Sequence, residues 1–366
     1  MPNNATSSLN NGSAMTDTSA FASKVENVNR LGLTMDDYKG AVSTLCAGCG
    51  HNSVTNQIIK AYFELGIQPH LVAKVSGIGC SSRTPAFFLD KAHGFNGAHG
   101  RMPPVATGAA LANHNLHVIG ISGDGDTASI GMSHFIHTLR RNTDMVYIIE
   151  DNGVYSLTKG QFSATADVGS TLHNGEVNEW MPIDCCGLAI EMGCGCVGRS
   201  FSGDTKQLHA LLKIAFRHKG TSVIVVVSPC VTFNNHDGST KSYKRIKNAA
   251  IPLHEINFID ATNLSNTAKI AEDKVCEINM GDGGIAQLKN LEYDYNYDPT
   301  DRRKVLLAME RARQENLFLT GLLYYDKSRR SLREQCNLVD EPLATLPVER
   351  VRPSKKAFEE IIAAFA

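Results

Sequence analysis

Residues 118–153 have the sequence VIGISGDGDTASIGMSHFIHTLRRNTDMVYIIEDNG, and this stretch decides the fold. An apolar strand is predicted over 118–122 and runs directly into the acidic turn Gly-Asp-Gly-Asp. The pattern then predicts a helix over 129–141 and a second strand over 145–150, which ends in Asp-Asn-Gly. A strand, a helix and a strand in this order are typical of a parallel β-sheet.

The same alternation continues on both sides of this stretch. Further strands are predicted over 71–75 and 223–227, and further helices over 103–113 and 207–217. The predicted fold class is therefore α/β, with a doubly wound parallel sheet. Such sheets bind ligands beyond the carboxyl ends of their strands, and both acidic glycine turns lie at that edge.

Three segments are predicted along the chain. Residues 1–25 are rich in Asn, Ser and Thr and are predicted to form a disordered arm. Residues 26–244 form the predicted α/β domain. Residues 245–366 lose the regular alternation, apart from helices predicted over 305–316 and 354–365, and are interpreted as an extension that contacts a partner or the core.

Charge and composition exclude several classes of protein. The chain of 366 residues has 36 Lys and Arg against 37 Asp and Glu, so no global positive field attracts nucleic acid or a membrane surface. No apolar run approaches the roughly 18 residues that a membrane-spanning helix needs. The amino-terminal residues do not resemble a secretory signal, so the ten cysteines indicate a reducing compartment, and a cytoplasmic location is expected.

The turn at 123–126 has two interpretations. As G-x-G-x-x-A, it matches a dinucleotide-binding fingerprint, and Glu150 follows where a ribose-binding acid is expected. However, Asp124 and Asp126 place two carboxylates where the pyrophosphate would lie. Their repulsion requires a cation between protein and phosphate.

A hard cation such as Mg²⁺ binds oxygen ligands, and the sequence offers three of them. The predicted magnesium ligands are the Asp124 carboxylate, the Asn152 amide and the Val154 carbonyl. Asn152 follows the strand after Asp124, so the two residues meet if those strands are neighbours. The alternative is that both turns are ordinary strand ends.

Four cysteines lie in three separate turns: Cys46, Cys49, Cys80 and Cys230. Four thiols in this arrangement suit an iron–sulfur cluster or a structural zinc ion. The Cys-x-x-Cys pair alone would also suit a thioredoxin-like site, but no strand directly precedes it. The other six are predicted to be non-ligands, with Cys185, Cys186, Cys194 and Cys196 in the core and Cys276 and Cys336 isolated.

Five motifs follow one another along residues 45–244: CAGCGH, VSGIGCSSR, HGRMPPVATG, GDGD and EDNGVYSLTKGQ. In this order they resemble the β subunits of the 2-oxoacid:ferredoxin oxidoreductases. The DNGVY and LTKGQ segments, with Arg83 in CSSRTP, are most similar to the 2-oxoglutarate enzymes. The arm and the extension carry little of this pattern.

The resemblance implies a fold of the thiamine-diphosphate-binding, or pyrophosphate-domain, type. It implies that Mg²⁺ attaches thiamine diphosphate to Asp124, Asn152 and Val154. It also implies a 4Fe–4S cluster on Cys46, Cys49, Cys80 and Cys230. The remaining implied cofactor-binding positions lie in the glycine turn: Gly123, Gly125, Asp126 and Thr127.

The activity implied by the resemblance is oxidative decarboxylation of 2-oxoglutarate with coenzyme A. The products are succinyl-CoA and CO₂, and the electrons pass through the cluster to ferredoxin. The reverse reaction, which fixes CO₂ as in a reductive TCA cycle, uses the same site. The alternatives are another 2-oxoacid such as pyruvate, a non-redox thiamine-dependent decarboxylase, and a nicotinamide-binding protein with a structural zinc.

The resemblance also implies a partner. Thiamine enzymes need a glutamate from a second α/β domain to activate the cofactor, and the sequence after residue 244 does not predict such a domain. Family members built from separate subunits obtain this glutamate and the coenzyme A site from an α subunit. A heteromeric assembly is therefore expected.

Several residues are candidates for contact with the substrate or for proton transfer. Arg83 is the main candidate because a guanidinium group pairs with a carboxylate through two hydrogen bonds, and Arg101 is a weaker one. His51 and His99 are candidates for proton transfer or for binding the diphosphate, and the alternative is that each only forms a hydrogen bond with the backbone. Lys159 and Gln161 are candidates for closing over the cofactor.

Overall fold

The computed structural model describes residues 27–259, 275–280 and 283–365. The arm predicted over 1–25 lies outside these residues. None of the described helices is both long enough and apolar enough to span a bilayer.

The described chain forms strands and helices in alternation. The strands are β1 Val72–Ser76, β2 His93–Asn96, β3 His117–Gly123, β4 Met145–Asp151, β5 Val154–Tyr155, β6 Gln161–Phe162, β7 Cys196–Phe201, β8 Thr221–Val227, β9 Ala250–Pro252, β10 His254–Ile259, β11 Val275–Asn279, β12 Ile285–Asn290 and β13 Phe318–Tyr325. The α-helices are α1 Gly50–Leu65, α2 Met102–Ala112, α3 Met132–Arg141, α4 Cys185–Glu191, α5 Thr205–Arg217, α6 Tyr243–Ala249, α7 Arg302–Gln314, α8 Leu332–Gln335, α9 Val348–Val351 and α10 Lys355–Ala363.

Eight strands form the main sheet in the order β2-β1-β3-β4-β8-β7-β13-β9. The six strands from β2 to β7 are parallel, and β13 runs antiparallel to β7. Strands β4 and β8 are buried along their whole length, which explains their nearly continuous apolar sequence. The predicted α/β fold is confirmed.

Helices cover both faces of this sheet. On one face α1 and α5 pack together over Ile119, Ile148 and Ile224. On the other face α2, α3, α4 and α7 pack over the alternate residues of the same strands. Because residues of a strand point to opposite faces in turn, this double covering is what the doubly wound pattern predicts.

The extension does not form a separate layer. Strands β9 and β13, both beyond residue 244, complete the main sheet, and β10, β11 and β12 form a small antiparallel sheet that packs beside α5. The predicted division at 244 is therefore not an edge of the main sheet. The last two helices, α9 and α10, contain no buried residue.

The turn after β3 has an unusual geometry. Residues Gly125–Ile130 form a π-helical segment before α3 begins. The helix predicted over 129–141 therefore starts inside this segment. Such wide turns are frequent at functional sites because they displace the backbone from a regular helix.

Candidate active site

Asp124 and Asn152 meet at the carboxyl edge of the main sheet. Strands β3 and β4 are neighbours, and Gly123 pairs with Glu150, so the residues that follow each strand lie together. The Asp124 carboxylate accepts a hydrogen bond from the backbone N–H of Gly153 at 3.1 Å and a longer one from Asn152 at 3.5 Å. The adjacency expected from the sequence is therefore present.

Two hydroxyl groups also donate hydrogen bonds to the Asp124 carboxylate. Thr165 donates to Oδ2 at 2.7 Å, and Ser163 donates to the same oxygen. The carboxylate is only 2% exposed. Burial and the nearby Asp151 carboxylate raise the pKa of Asp124 to about 6, although both hydroxyls oppose the shift.

A buried lysine, Lys241, compensates the negative charge of the Asp151 carboxylate. Lys241, which is 3% exposed, places its ammonium 3.1 Å from Asp151 and 3.8 Å from Asp167. Asp151 is linked to Asp124 because Thr165 and the Gly153 amide lie within hydrogen-bond distance of both carboxylates. Three carboxylates therefore share one ammonium, and a divalent cation at Asp124 would relieve their excess negative charge.

We expect Lys241→Met to lower the free energy of unfolding by about 3–5 kcal/mol, because it leaves Asp151 buried without its counter-ion. Lys241→Arg keeps the positive charge and should lower the free energy of unfolding by a smaller amount. Lys244→Met is the matched control, since its ion pair with Asp237 is exposed and should contribute no more than about 1 kcal/mol. Urea unfolding measures all three, and equal losses for Lys241→Met and Lys244→Met would contradict the role of Lys241.

The glycines of the turn are needed for close packing. A Cβ on Gly125 would lie 2.5 Å from the Tyr155 ring, and a Cβ on Gly123 would lie 2.8 Å from the Ser81 hydroxyl. Gly125, Asp124 and Asn152 line a narrow cavity of about 70 Å³. Asp124, Asn152 and Val154 all line this cavity, and a carboxylate, an amide and a backbone carbonyl are oxygen ligands that Mg²⁺ prefers.

Most of the predicted diphosphate-binding residues lie at one cavity. Val154, His99 and Asp126 line the same cavity as Asp124, whereas Thr127 does not. The Asp126 carboxylate accepts hydrogen bonds from Gly100 N–H and the Ser122 hydroxyl, at 2.8 and 2.7 Å. The Thr127 hydroxyl lies 3.0 Å from the Tyr147 hydroxyl. Both side chains are therefore hydrogen-bonded within the protein, and their contact with a diphosphate stays a prediction.

His51 does not line this cavity. Its ring is 1% exposed, with Nδ1 at 2.7 Å from the Ser228 hydroxyl and 3.5 Å from the Glu150 carboxyl. Burial lowers the pKa of His51 to about 4 and raises that of Glu150 well above its usual range. His51 is therefore a neutral member of a buried hydrogen-bond network, and its role in proton transfer stays a prediction.

The four turn cysteines lie at the same edge of the sheet as Asp124. Cys49 caps the amino end of α1, Cys80 follows β1, and Cys230 follows β8. Burial, followed by the neighbouring Glu150, Cys230 and Cys46, raises the pKa of the Cys49 thiol to about 12. The charges of Cys230 and Cys46 also raise the pKa of the Cys80 thiol, so these two cysteines lie within electrostatic range of both Cys49 and Cys80.

The four turn thiols are the kind of donor that an iron–sulfur cluster or a structural zinc ion takes. In the described part of the chain, no three His, Cys, Asp or Glu side chains are spaced to hold one metal ion. A zinc site needs its thiolates about 2.3 Å from one point, whereas an iron–sulfur cluster spreads the same four ligands around a larger body. Ligation would also remove the protons that burial favours on these thiols.

The other cysteines occupy the positions that their sequence context predicts. Cys185, Cys186, Cys194 and Cys196 are buried, and the Cys194 thiol donates to the Thr221 carbonyl at 3.0 Å. Cys276 is partly exposed, and Cys336 is exposed. All ten cysteines are free thiols.

The two arginine candidates lie outside the cavity. Arg83 is exposed, and its guanidinium donates to the Thr44 hydroxyl. Arg101 donates to the His99 carbonyl at 3.3 Å. Lys159 adopts a left-handed backbone conformation with φ of 82° in the segment between β5 and β6, and Gln161 begins β6.

Comparison with known proteins identifies the family. Residues 77–226 match the model of the thiamine pyrophosphate enzyme, C-terminal TPP binding domain. A 2-oxoglutarate synthase subunit KorB from Methanocaldococcus jannaschii is 36% identical over 236 residues, which cover 63% of this chain and 82% of that protein. The chain belongs to the 2-oxoacid:ferredoxin oxidoreductase β-subunit family. The resemblance predicted from the motifs is thus confirmed.

Other members of the family agree with this assignment. A 2-oxoacid:ferredoxin oxidoreductase subunit beta from a Sulfolobus species is 43% identical over 206 residues, or 55% of this chain and 66% of that protein. The match thus spans just under two thirds of this relative. A solved 2-oxoglutarate:ferredoxin oxidoreductase from Magnetococcus marinus, with 2-oxoglutarate, coenzyme A and succinyl-CoA bound, superposes with a TM-score of 0.68 at 29% identity, covering 94% of this chain and 98% of that one.

Proposed function

We propose that this chain is the β subunit of a thiamine-dependent 2-oxoglutarate:ferredoxin oxidoreductase. The observation that carries the proposal is the position of the Asp124–Asn152 pair and of the four turn cysteines at one edge of one sheet. The proposed reaction converts 2-oxoglutarate and coenzyme A to succinyl-CoA and CO₂, and transfers two electrons singly to ferredoxin. The names of the Methanocaldococcus relative and the Magnetococcus structure support 2-oxoglutarate as the substrate.

The residues of this chain would bind and orient both cofactors. Thiamine diphosphate supplies the carbon–carbon bond cleavage, and a 4Fe–4S cluster supplies one-electron transfer. Asp124, Asn152 and the Val154 carbonyl would hold Mg²⁺ against the diphosphate, while Ser163 and Thr165 fix the Asp124 carboxylate. Cys46, Cys49, Cys80 and Cys230 would hold the cluster.

An α subunit is the proposed partner. The described residues form one large α/β sheet with one glycine turn of this type. The glutamate that activates thiamine, together with the coenzyme A site, would therefore come from the α subunit. The subunit names of the relatives support a heteromeric complex. We also propose a cytoplasmic location, because ten free thiols fit a reducing compartment.

The direction of the reaction depends on the reduction state of ferredoxin. The same residues serve oxidation of 2-oxoglutarate or, with strongly reducing ferredoxin, fixation of CO₂ as in a reductive TCA cycle. A non-redox thiamine decarboxylase would need the diphosphate site without the four cysteines. The activity with an artificial one-electron acceptor therefore separates these functions.

We expect Arg83→Met to lower kcat/KM for 2-oxoglutarate roughly thirtyfold, equivalent to about 2 kcal/mol, if the guanidinium binds the distal carboxylate in the assembled enzyme. Activity on pyruvate, which lacks that group, should be retained. The measurement is a substrate panel on the co-purified αβ complex with methyl viologen as the acceptor. Arg140→Met, at an exposed arginine in the last turn of α3, is the matched control, and unchanged kinetics for Arg83→Met would make Arg83 structural.

A further inference from the structure

One buried carboxyl group lies beside two of the cysteine turns. Glu150, near the end of β4, is completely buried, and its carboxyl accepts hydrogen bonds from the Thr84 hydroxyl at 3.1 and 3.2 Å. Thr84 follows Cys80 by four residues. Burial is the main cause of the raised pKa of the Cys49 and Cys80 thiols, and the charge of Glu150 contributes to both shifts. This carboxyl therefore lies within electrostatic range of both cysteines.

His51 extends the contacts of this carboxyl to the third turn. His51 follows Cys49 by two residues, and its Nδ1 lies 3.5 Å from the Glu150 carboxyl and 2.7 Å from the Ser228 hydroxyl. Ser228 in turn precedes Cys230 by two residues. A chain of polar contacts thus joins all three cysteine turns. We call this chain the turn network, and its members are Thr84, Glu150, His51 and Ser228.

The turn network connects distant parts of the sequence through buried contacts. Thr84 lies 66 positions from Glu150, and His51 lies 177 positions from Ser228. None of the four side chains is more than 1% exposed, so bulk water does not compete for their contacts. The packing is also close, because a Cβ on Gly50 would lie 2.5 Å from the Ser228 hydroxyl.

The position of Glu150 in the sheet makes it a fixed base for these contacts. Its strand, β4, pairs with β3 on one side and with β8 on the other. On its own face of β4, Glu150 follows the apolar side chains of Val146 and Ile148. Burial of a carboxyl group costs free energy that an apolar side chain at this position would avoid. The contacts with the cysteine turns give this carboxyl a role.

We propose that Glu150 is a positioning residue that holds the three cysteine turns at the separations that the cluster requires. The proposal rests on the proposed function, since it takes the four turn cysteines to hold a 4Fe–4S cluster. Hydrogen-bonded residues behind the ligands of a metal centre orient those ligands, and their substitution typically lowers metal affinity about 10–100-fold. Glu150 reaches the turns through Thr84 and His51.

The test measures how firmly the co-purified αβ complex retains its iron. The anaerobic complex is mixed with the chelator bathophenanthroline disulfonate, and the absorbance of the iron chelate gives the rate of release. Glu150→Leu removes the polar contacts and should release iron about tenfold faster or more. Glu150→Gln keeps a hydrogen-bonding group of the same size, so its rate should stay close to that of the unmodified complex.

Electron paramagnetic resonance adds a readout that a general loss of stability would not change. The spectrum of the dithionite-reduced cluster depends on how its ligands are arranged. We expect the spectrum to change in Glu150→Leu and to stay the same in Glu150→Gln. An equal effect of both substitutions would overturn the proposal, because the amide preserves the contacts.

Two further variants each remove one link of the turn network. Thr84→Val removes the hydroxyl that joins Glu150 to the Cys80 turn, and Ser228→Ala removes the one that joins His51 to the Cys230 turn. Each should accelerate iron release by a smaller factor than Glu150→Leu does. If Glu150→Leu does not fold, unchanged iron release in both of these variants would overturn the proposal.

Gln207→Leu is the matched control. Gln207 is buried, and its amide forms hydrogen bonds with the hydroxyls of Ser200 on β7 and Thr320 on β13, at 2.9 and 3.2 Å. The substitution therefore removes buried polar contacts of the same kind, but between strands rather than between cysteine turns. Iron release that is unchanged in Glu150→Leu, or equally fast in Gln207→Leu, would overturn the proposal. Absence of iron from the unmodified complex would instead contradict the proposed function.

Discussion

Asp124→Ala is expected to abolish binding of thiamine diphosphate with Mg²⁺ while the sheet stays folded. Asp124 is the one charged group among the three proposed magnesium ligands, so its loss leaves only the neutral Asn152 and Val154 oxygens. The fold should survive because the substitution also removes the repulsion between two buried carboxylates, Asp124 and Asp151. Isothermal titration of the variant with the cofactor and magnesium measures the binding, and circular dichroism checks the fold.

Two variants provide the comparison for Asp124→Ala. Asn152→Ala removes a neutral ligand and should weaken binding less. Asp167→Ala removes a carboxylate from the same charged group, 3.8 Å from Lys241, without touching the proposed metal site, and should bind the cofactor. Normal cofactor content in Asp124→Ala would contradict the metal site.

Serine at any of the four turn cysteines is expected to eliminate or destabilise the iron–sulfur cluster. A serine oxygen is a poor replacement for a thiolate ligand of iron, and each turn supplies a ligand that no other residue can replace. Iron and acid-labile sulfide should therefore fall together in Cys46→Ser, Cys49→Ser, Cys80→Ser and Cys230→Ser. Chemical assay of both elements after anaerobic purification measures the loss.

Cys194→Ser is the control for these four variants. The serine hydroxyl can donate to the Thr221 carbonyl as the thiol does. The substitution should therefore disturb only core packing and lower the free energy of unfolding by on the order of 1–3 kcal/mol. The iron content should stay complete. If Cys194→Ser lost iron as Cys230→Ser does, Cys194 would have to replace Cys230 as the fourth ligand.

The parallel sheet and the core of the site follow from local sequence patterns. The hydrophobic pattern of the sequence predicts that one helix separates β3 from β4. Neighbouring parallel strands bring their carboxyl ends together. The meeting of Asp124 with Asn152 was therefore predictable. The positions of the four cysteines in turns were predictable for the same reason, since turns at one edge of a sheet converge.

The residues that support Asp124 could not be predicted in this way. Thr165 is 41 positions from Asp124, and Lys241 is 90 positions from Asp151. Both come from loops without periodic pattern, so local sequence carries no signal for the strand end that they contact. A lysine beside Ser and Thr also has the composition of an exposed turn, and only the packed structure shows that it is buried.

The extension was unpredictable for a related reason. Strand β13 joins the sheet antiparallel to β7, after a long excursion through a second small sheet. Polar turns interrupt the alternation of strands and helices in the extension. The pairing of strands so far apart in sequence depends on tertiary packing rather than on the hydrophobic period of the local sequence. Only the structure shows that the apolar run of β13 is a buried strand.

Electron paramagnetic resonance of the co-purified αβ complex tests the central claim most directly. The sample is prepared anaerobically with thiamine diphosphate and Mg²⁺, and spectra are recorded before and after addition of 2-oxoglutarate and coenzyme A, without ferredoxin. We expect the substrate to reduce a 4Fe–4S cluster, and we expect Cys230→Ser to lack the signal of the reduced cluster. Formation of succinyl-CoA and CO₂ by a complex whose β subunit contains no iron would contradict this expectation.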